Sequence, residues 1–164
     1  RFTTLNDITI SPSPIQKPRV PIWVAGRKNV AMKRVAKYGD GWMPYMYTPD
    51  MLADSMSKIA DFSVEAGRPA GAVQGGLYIF TCVHESRDRA LEMANEQLSK
   101  QYNQDFTKLV SKYTISGSPD DCIEQINAYR QAGAETIIFA QGCPPDYVEA
   151  NTRLIGESIL PAFA

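Results

Sequence analysis

Apolar residues along the chain gather into short continuous runs, and between the runs they fall at helical spacing. Ile22-Trp23-Val24-Ala25 is an apolar run of the kind that fills a buried strand, and Gly26 ends it. Asn29 then caps a helix over 30–38, with Gly39 placed for a left-handed terminus. Asp40-Gly41-Trp42-Met43 reads as a short second strand. Thr48-Pro49-Asp50 is a helix start, with a hydroxyl cap, a proline at the first helical position and an acid near the positive end of the dipole. Leu52, Met56, Ile59 and Ser63 share one face of that helix, and Gly67 marks its stop. Residues 77–83 form the third strand. Ser86 caps a helix carrying Ala90, Leu91, Ala94 and Leu98, and a further helical stretch holds Phe106, Leu109, Val110 and Tyr113. Ser118-Pro119-Asp120-Asp121 has the spacing of a capping box. Its helix carries Ile123, Ile126 and Tyr129 and ends at Gly133; residues 136–139 are the fourth strand, and a last helix carries Val148, Ile155 and Ile159.

The segment ahead of these elements is different. Pro12, Pro14, Pro18 and Pro21 remove donors and fix φ, so residues 1–21 are expected to form an extended connector, with a short strand at Ile8 to Ile10. Residues 22–164 then carry the strand-helix units of a single partial domain. That alternation predicts an α/β fold with parallel strands and helices packed outside. Four units fit a small open sheet or half of an eight-stranded barrel, and periodicity does not choose between them. A complete barrel takes about 250 residues, whereas the chain has 164. The opening Arg1-Phe2-Thr3-Thr4-Leu5 has no Met and reads like the interior of a longer sequence.

Composition narrows the function classes. Lys and Arg number 17 against 18 Asp and Glu, a balance that argues against a nucleic-acid binder. No apolar run approaches the roughly 20 residues that span a bilayer, and no leader pattern opens the chain. Cys82, Cys122 and Cys143 are far apart, with no C-x-x-C spacing, and His84 is the single histidine. A disulfide framework or a metal site is therefore not expected, and a cytoplasmic protein fits the cysteine usage.

The candidate chemistry lies where the first strand meets the first helix. Ligands in βα units sit beyond the carboxyl ends of the strands. Backbone N–H groups at a helix N-terminus attract an anion, and Gly26 lets it approach the backbone. Arg27 and Lys28 add two cations. The bland reading is a solvated basic turn. Trp42 and Met43 end the second strand and are weaker candidates for a substrate pocket, with packing as the equal alternative. Trp23 reads as core, His84 as a loop residue, and Cys143 as a turn residue without an activating cation.

Arg19-Val20-Pro21-Ile22-Trp23-Val24-Ala25-Gly26-Arg27, the stretch from Ala31 to Arg34, and Tyr38-Gly39-Asp40-Gly41-Trp42-Met43-Pro44 form an ordered set of motifs. Glu65-Ala66-Gly67-Arg68-Pro69, Ser116-Gly117-Ser118-Pro119-Asp120, Tyr129 to Ala134 and Ile159-Leu160-Pro161-Ala162 continue it. In order and spacing the set resembles the luciferase-like monooxygenase family, including its F420-dependent branch, over nearly the whole chain. The resemblance implies the C-terminal half of a (β/α)₈ TIM-type barrel, supplying its last four βα units. It implies an oxidoreductase acting on a small organic substrate, by F420-dependent hydride transfer or FMN-dependent monooxygenation. It also implies that Ala25, Gly26, Arg27, Lys28 and Asn29 hold the cofactor phosphate. Bacterial luciferase has an acid and hydroxyls along this stretch, where this chain has Arg27, Lys28, Ala31 and Met32. Two adjacent cations, with Lys33 and Arg34 a turn later, suit the longer anion of F420 better than the single phosphate of FMN. Groups near the reacting ring come mostly from the first half of such barrels, so no catalytic residue is assigned. The expected partners are the cofactor, a small substrate, and either the companion N-terminal half or a second copy of the chain. The alternative is a non-catalytic half-barrel that binds a phosphate-bearing ligand or a partner chain.

Overall fold

The computed structural model describes residues 3–164. Its elements are β1 (Trp23–Val24), α1 (Asn29–Tyr38), β2 (Gly41–Trp42), α2 (Pro49–Glu65), β3 (Gln74–Val83), α3 (Arg87–Tyr102), α4 (Val110–Tyr113), β4 (Thr114–Gly117), α5 (Pro119–Gln131), β5 (Thr136–Gln141) and α6 (Val148–Leu154). No helix among the described residues is long and apolar enough to cross a membrane.

Every strand pairing is parallel. Trp23 lies opposite Gly41, Gly41 opposite Gln74, and residues 76–81 of β3 run beside β5. Strands β1, β2, β3 and β5 therefore stand side by side in chain order, as successive staves of a barrel wall do. The fifth strand, β4, lies in a stretch with only four residues between a helix and a capping box, too short for a period to show. It pairs with residues 80–83 of β3. Gln74 and Tyr78 donate their N–H groups to Asp40 and Pro44, and His84 donates to Gly117. Glu135 and Gly142 donate to the carbonyls of Gly75 and Thr81. Backbone groups alternate edges along a strand, so β2 and β4 sit end to end on one edge of β3 and β5 takes the other. The long central strand outruns its two-residue neighbour, and the segment returning from α4 completes its ladder.

One face of the sheet carries Trp42, Leu77, Ile79, Val83 and Ile115. These pack with Met32, Val35, Leu52, Ile59, Ile126 and Tyr129 of α1, α2 and α5 in one buried cluster. The other face is the one that lines a barrel interior. Its upper part, at Phe80, Cys82 and Ala140, is covered by α3 and by the segment through Phe106 and Val110. Its lower part is open, and Trp23, Tyr45, Tyr78 and Ile138 are exposed there.

Several sequence expectations change. Ile8 to Ile10 forms no strand and is exposed, because no neighbouring strand satisfies its backbone. Trp23 is not core. It stands on the open face, 37% exposed, and lies flat over Gly41, where a Cβ would meet its ring at 2.4 Å. Gly39 is extended (φ −98°) rather than left-handed. It is close-packed instead, since a Cβ would meet Val35 Cγ2 at 2.6 Å. Gly67 and Gly133 do take positive φ, 75° and 101°, as helix ends at those sites require. The stretch through Phe106 and Leu109 is helical only from Val110, and the last helix gives way to a π turn over Ile155–Ile159.

Candidate functional site

The first helix begins one residue earlier than its sequence suggests. Asn29 is inside α1, and Lys28 occupies the N-cap with no side-chain hydrogen bond. Lysine has only donors, so it cannot satisfy the N–H groups that open a helix. The contrast with the other long helices is direct: Thr48, Ser86 and Ser118 each accept an N–H at the starts of α2, α3 and α5. At α1, only Ala31 and Met32 donate, both to Lys28 O. Among the described residues, the N–H groups of Gly26, Arg27, Lys28, Asn29 and Val30 have no protein partner. Gly26 sits at φ +124°, a conformation that a side chain resists, and a Cβ there would meet Ala31 at 2.8 Å.

The carbonyls of the turn, by contrast, are tied back into the core. Trp42 Nε1 donates to Gly26 O at 2.8 Å. Tyr47 Oη donates to Arg27 O at a long 3.5 Å, and Tyr129 Oη donates to Tyr47 O at 2.6 Å. Burial pushes the Tyr129 phenol up, so it stays a donor. With its carbonyls pinned inward, the turn presents N–H groups and the side chains of Arg27 and Lys28 outward. That donor set fits a phosphate: five amides, two cations and no acid in the first turn of α1.

Trp42 is fully buried on the helix-covered face, edge-on to Tyr47 with ring centroids 5.5 Å apart. It offers no surface to a substrate and instead holds the turn that precedes α1. Met43 points the other way, onto the open face near Gly76, and remains placed to meet a ligand. Arg27 lies over the Tyr45 ring, 5.5 Å from its centroid, while Lys33 lies over Phe62 of α2 at 4.9 Å, away from the turn. Ala25 is exposed at the strand end.

Other motif residues brace this region. Arg19 forks onto Asp40, with Nη2 2.9 Å from Oδ1, and Asp40 Oδ2 also accepts the Ile22 N–H at 2.7 Å. The guanidinium, then that N–H, hold the Asp40 carboxyl below the usual range. Arg68 donates to the Val35 and Ala36 carbonyls at 3.2 and 2.8 Å, closing the far end of α1. Neither role has a sequence signal beyond the motif itself. His84 Nδ1 accepts the Ser86 N–H at 2.9 Å, a loop contact. Cys82 and Cys143 lie together under α3. The neighbouring thiol and then burial push Cys82 far up, and the contact with Cys82 holds Cys143 down. An open cleft of about 830 Å³ lies between α5, β5 and the chain end, lined by Arg130, Phe139 and Phe163 and remote from the turn.

Residues 1–136 match the family model described as luciferase-like monooxygenase. An F420-dependent glucose-6-phosphate dehydrogenase from Microbacterium testaceum is 26% identical, over 98% of this chain and 53% of its own length. The monooxygenase RslO1 from Streptomyces bottropensis shares the fold at a TM-score of 0.76 and 20% identity, over 100% of this chain and 54% of its own. The oxygenating constituent of 3,6-diketocamphane monooxygenase from Pseudomonas putida, in complex with FMN, aligns at a TM-score of 0.62 and 15% identity, over 85% and 47%. The chain thus spans about half the length of the proteins it matches.

Proposed function

The chain belongs to the luciferase-like monooxygenase family, and from that premise we propose that it forms the phosphate-holding half of an oxidoreductase that uses F420 or FMN. Its relatives include both F420-dependent enzymes and an FMN-bound monooxygenase. The observation that carries the reading is the start of α1, where a lysine N-cap leaves five amides without protein partners. An uncapped helix end beside two cations favours an anion over water there. A cofactor phosphate supplies one, and the redox chemistry belongs to the cofactor's ring. The chain's own part would be to hold the phosphate at the amides of the turn, which Trp42 fixes in place. Arg27 and Lys28 together favour F420, whose charge extends beyond one phosphate.

The test is cofactor affinity in the full-length protein. Arg27→Ala with Lys28→Ala removes both charged donors, and charge-assisted bonds contribute about 1.5–3 kcal/mol each. Fluorescence quenching by F420 should then show binding at least ~10-fold weaker than wild type. Unchanged affinity for both F420 and FMN would reduce the turn to a solvated cap.

A further inference from the structure

The open face beside the cofactor turn carries a run of aromatic rings that the phosphate site does not use. Tyr45 follows β2 and bridges to Tyr78 on β3. Tyr78 meets Phe80 edge to face at 6.0 Å, and Phe80 meets Tyr102 of α3 in the same way at 6.1 Å. The run therefore starts at Arg27, which lies over Tyr45, and ends at α3, beyond the level where β1 and β2 finish. Phe80 is buried, but Tyr45 is 46% exposed and Tyr78 and Tyr102 are each 39% exposed. Among the described residues none of their three hydroxyls donates to a protein atom, whereas Tyr47, Tyr129 and Tyr147 all do. Burial, then Tyr45 and Tyr78, push the Tyr102 phenol up.

We propose that Tyr45, Tyr78 and Tyr102 form the substrate wall of this half-barrel, and that the substrate is a neutral, planar, ring-bearing molecule with an oxygen substituent. The inference rests on the cofactor reading above, because it is the neighbouring turn that makes this wall a reaction site. Flat rings gain edge-to-face and offset-stacked contacts with such a wall that a flexible chain does not. Tyrosine presents a rigid surface at small entropic cost, and its hydroxyl rewards a hydroxyl or carbonyl on the ligand. Neutrality follows from the lining. No acid lies among these residues, and the guanidinium of Arg27 is engaged by the Tyr45 ring.

The probes are 2-naphthol and 1-octanol, two neutral molecules with one hydroxyl each, titrated calorimetrically into the full-length protein with and without bound cofactor. The wild type should bind 2-naphthol at least ~10-fold more tightly than 1-octanol. Tyr78→Ala should weaken 2-naphthol binding by about tenfold, and Tyr78→Phe, which keeps the ring, by less. Cofactor affinity should stay unchanged in both variants, which also reports that they are folded; Tyr45→Phe serves as the milder variant should Tyr78→Ala fail to fold. Equal affinity for the two probes, or full 2-naphthol affinity in the Tyr78 and Tyr45 variants, would overturn the proposal and leave the wall as packing surface for the rest of the protein. A wild type that binds neither F420 nor FMN but still prefers 2-naphthol would instead overturn the cofactor reading and keep the ring-binding wall.

Discussion

Asn151, a fully buried residue of α6, takes the place of a strand residue at the upper end of β3. Its Oδ1 accepts the Val83 N–H at 2.7 Å, and its Nδ2 donates to Thr81 O at 3.1 Å and to Gln141 Oε1 at 2.9 Å. The ladder with β5 stops at Gln141, so without this amide the Val83 N–H inside the core would lose its partner, while Thr81 O would keep only the Gly142 N–H. Leaving a buried donor or acceptor unmet costs about 1–3 kcal/mol. Asn151→Ala should therefore lower unfolding stability by about 2 kcal/mol in urea titrations. The exposed neighbour Thr152→Ala should stay within about 0.5 kcal/mol. A loss below about 1 kcal/mol for Asn151→Ala would mean that water replaces the amide. No sequence pattern announces this residue, because an asparagine in a surface-like helix acquires its role only when α6 docks on β3.

At the scale of elements, the two kinds of helix start are informative together. Helix α5 has a complete capping box: Ser118 Oγ donates to Asp121 Oδ2 at 2.7 Å, the Ser118 N–H donates to the same oxygen at 2.9 Å, and the Asp121 N–H donates to Ser118 Oγ at 3.2 Å. The Ser118 hydroxyl, then its N–H, with Arg87 nearby, hold the Asp121 carboxyl below the usual range. A lowered folded-state pKa stabilises the fold above the unfolded value near ~3.9, and that contribution is lost as pH falls through the folded value. Asp121→Asn should thus melt at a lower temperature than wild type at neutral pH, and the gap should narrow under acid conditions, near pH ~3. A gap that stays constant with pH would show that the carboxylate charge is not what holds the box. The box was legible in the sequence, because serine and aspartate at that spacing satisfy each other locally. The open start of α1 was not, because Asn29 is as good a cap by type as Ser118 is. The difference is that Trp42 and Tyr47 pin the Gly26 and Arg27 carbonyls, and that fixes where the helix can begin.

At the scale of the molecule, among the described residues β4 pairs on one edge alone, and the sheet ends on two outer strands with a free edge each, β1 and β5. Ile138 is 44% exposed beside one of them, and Trp23 is 37% exposed beside the other. Unpaired edges next to apolar surface favour association. The 164-residue chain on its own is therefore predicted to pair or aggregate as its concentration rises. Light scattering checks this, and a mass that stays at the 18.2 kDa of one chain across the whole range would refute it.

What the sequence determined by itself was what local chemistry can specify. The order of the strands and helices apart from β4 and the expected strand at Ile8 to Ile10, the glycine stops at Gly67 and Gly133, the proline-led helix starts and the capping box all follow from residues within a few positions of one another. The family motif marked the candidate turn for the same reason, since Gly26, Arg27 and Lys28 are contiguous. The tertiary structure decided everything that depends on which face a side chain meets. Trp42 and Met43 are neighbours in the chain, yet strand alternation sends one into the core beneath the turn and the other to the open face. Arg19 reaches Asp40, Arg68 reaches the end of α1, and β4 finds the unpaired upper edge of β3 only once the long central strand has been placed. The tyrosine wall belongs to the same class: its three rings come from a loop, a strand and a helix, and only the packing of α3 over the sheet brings them together.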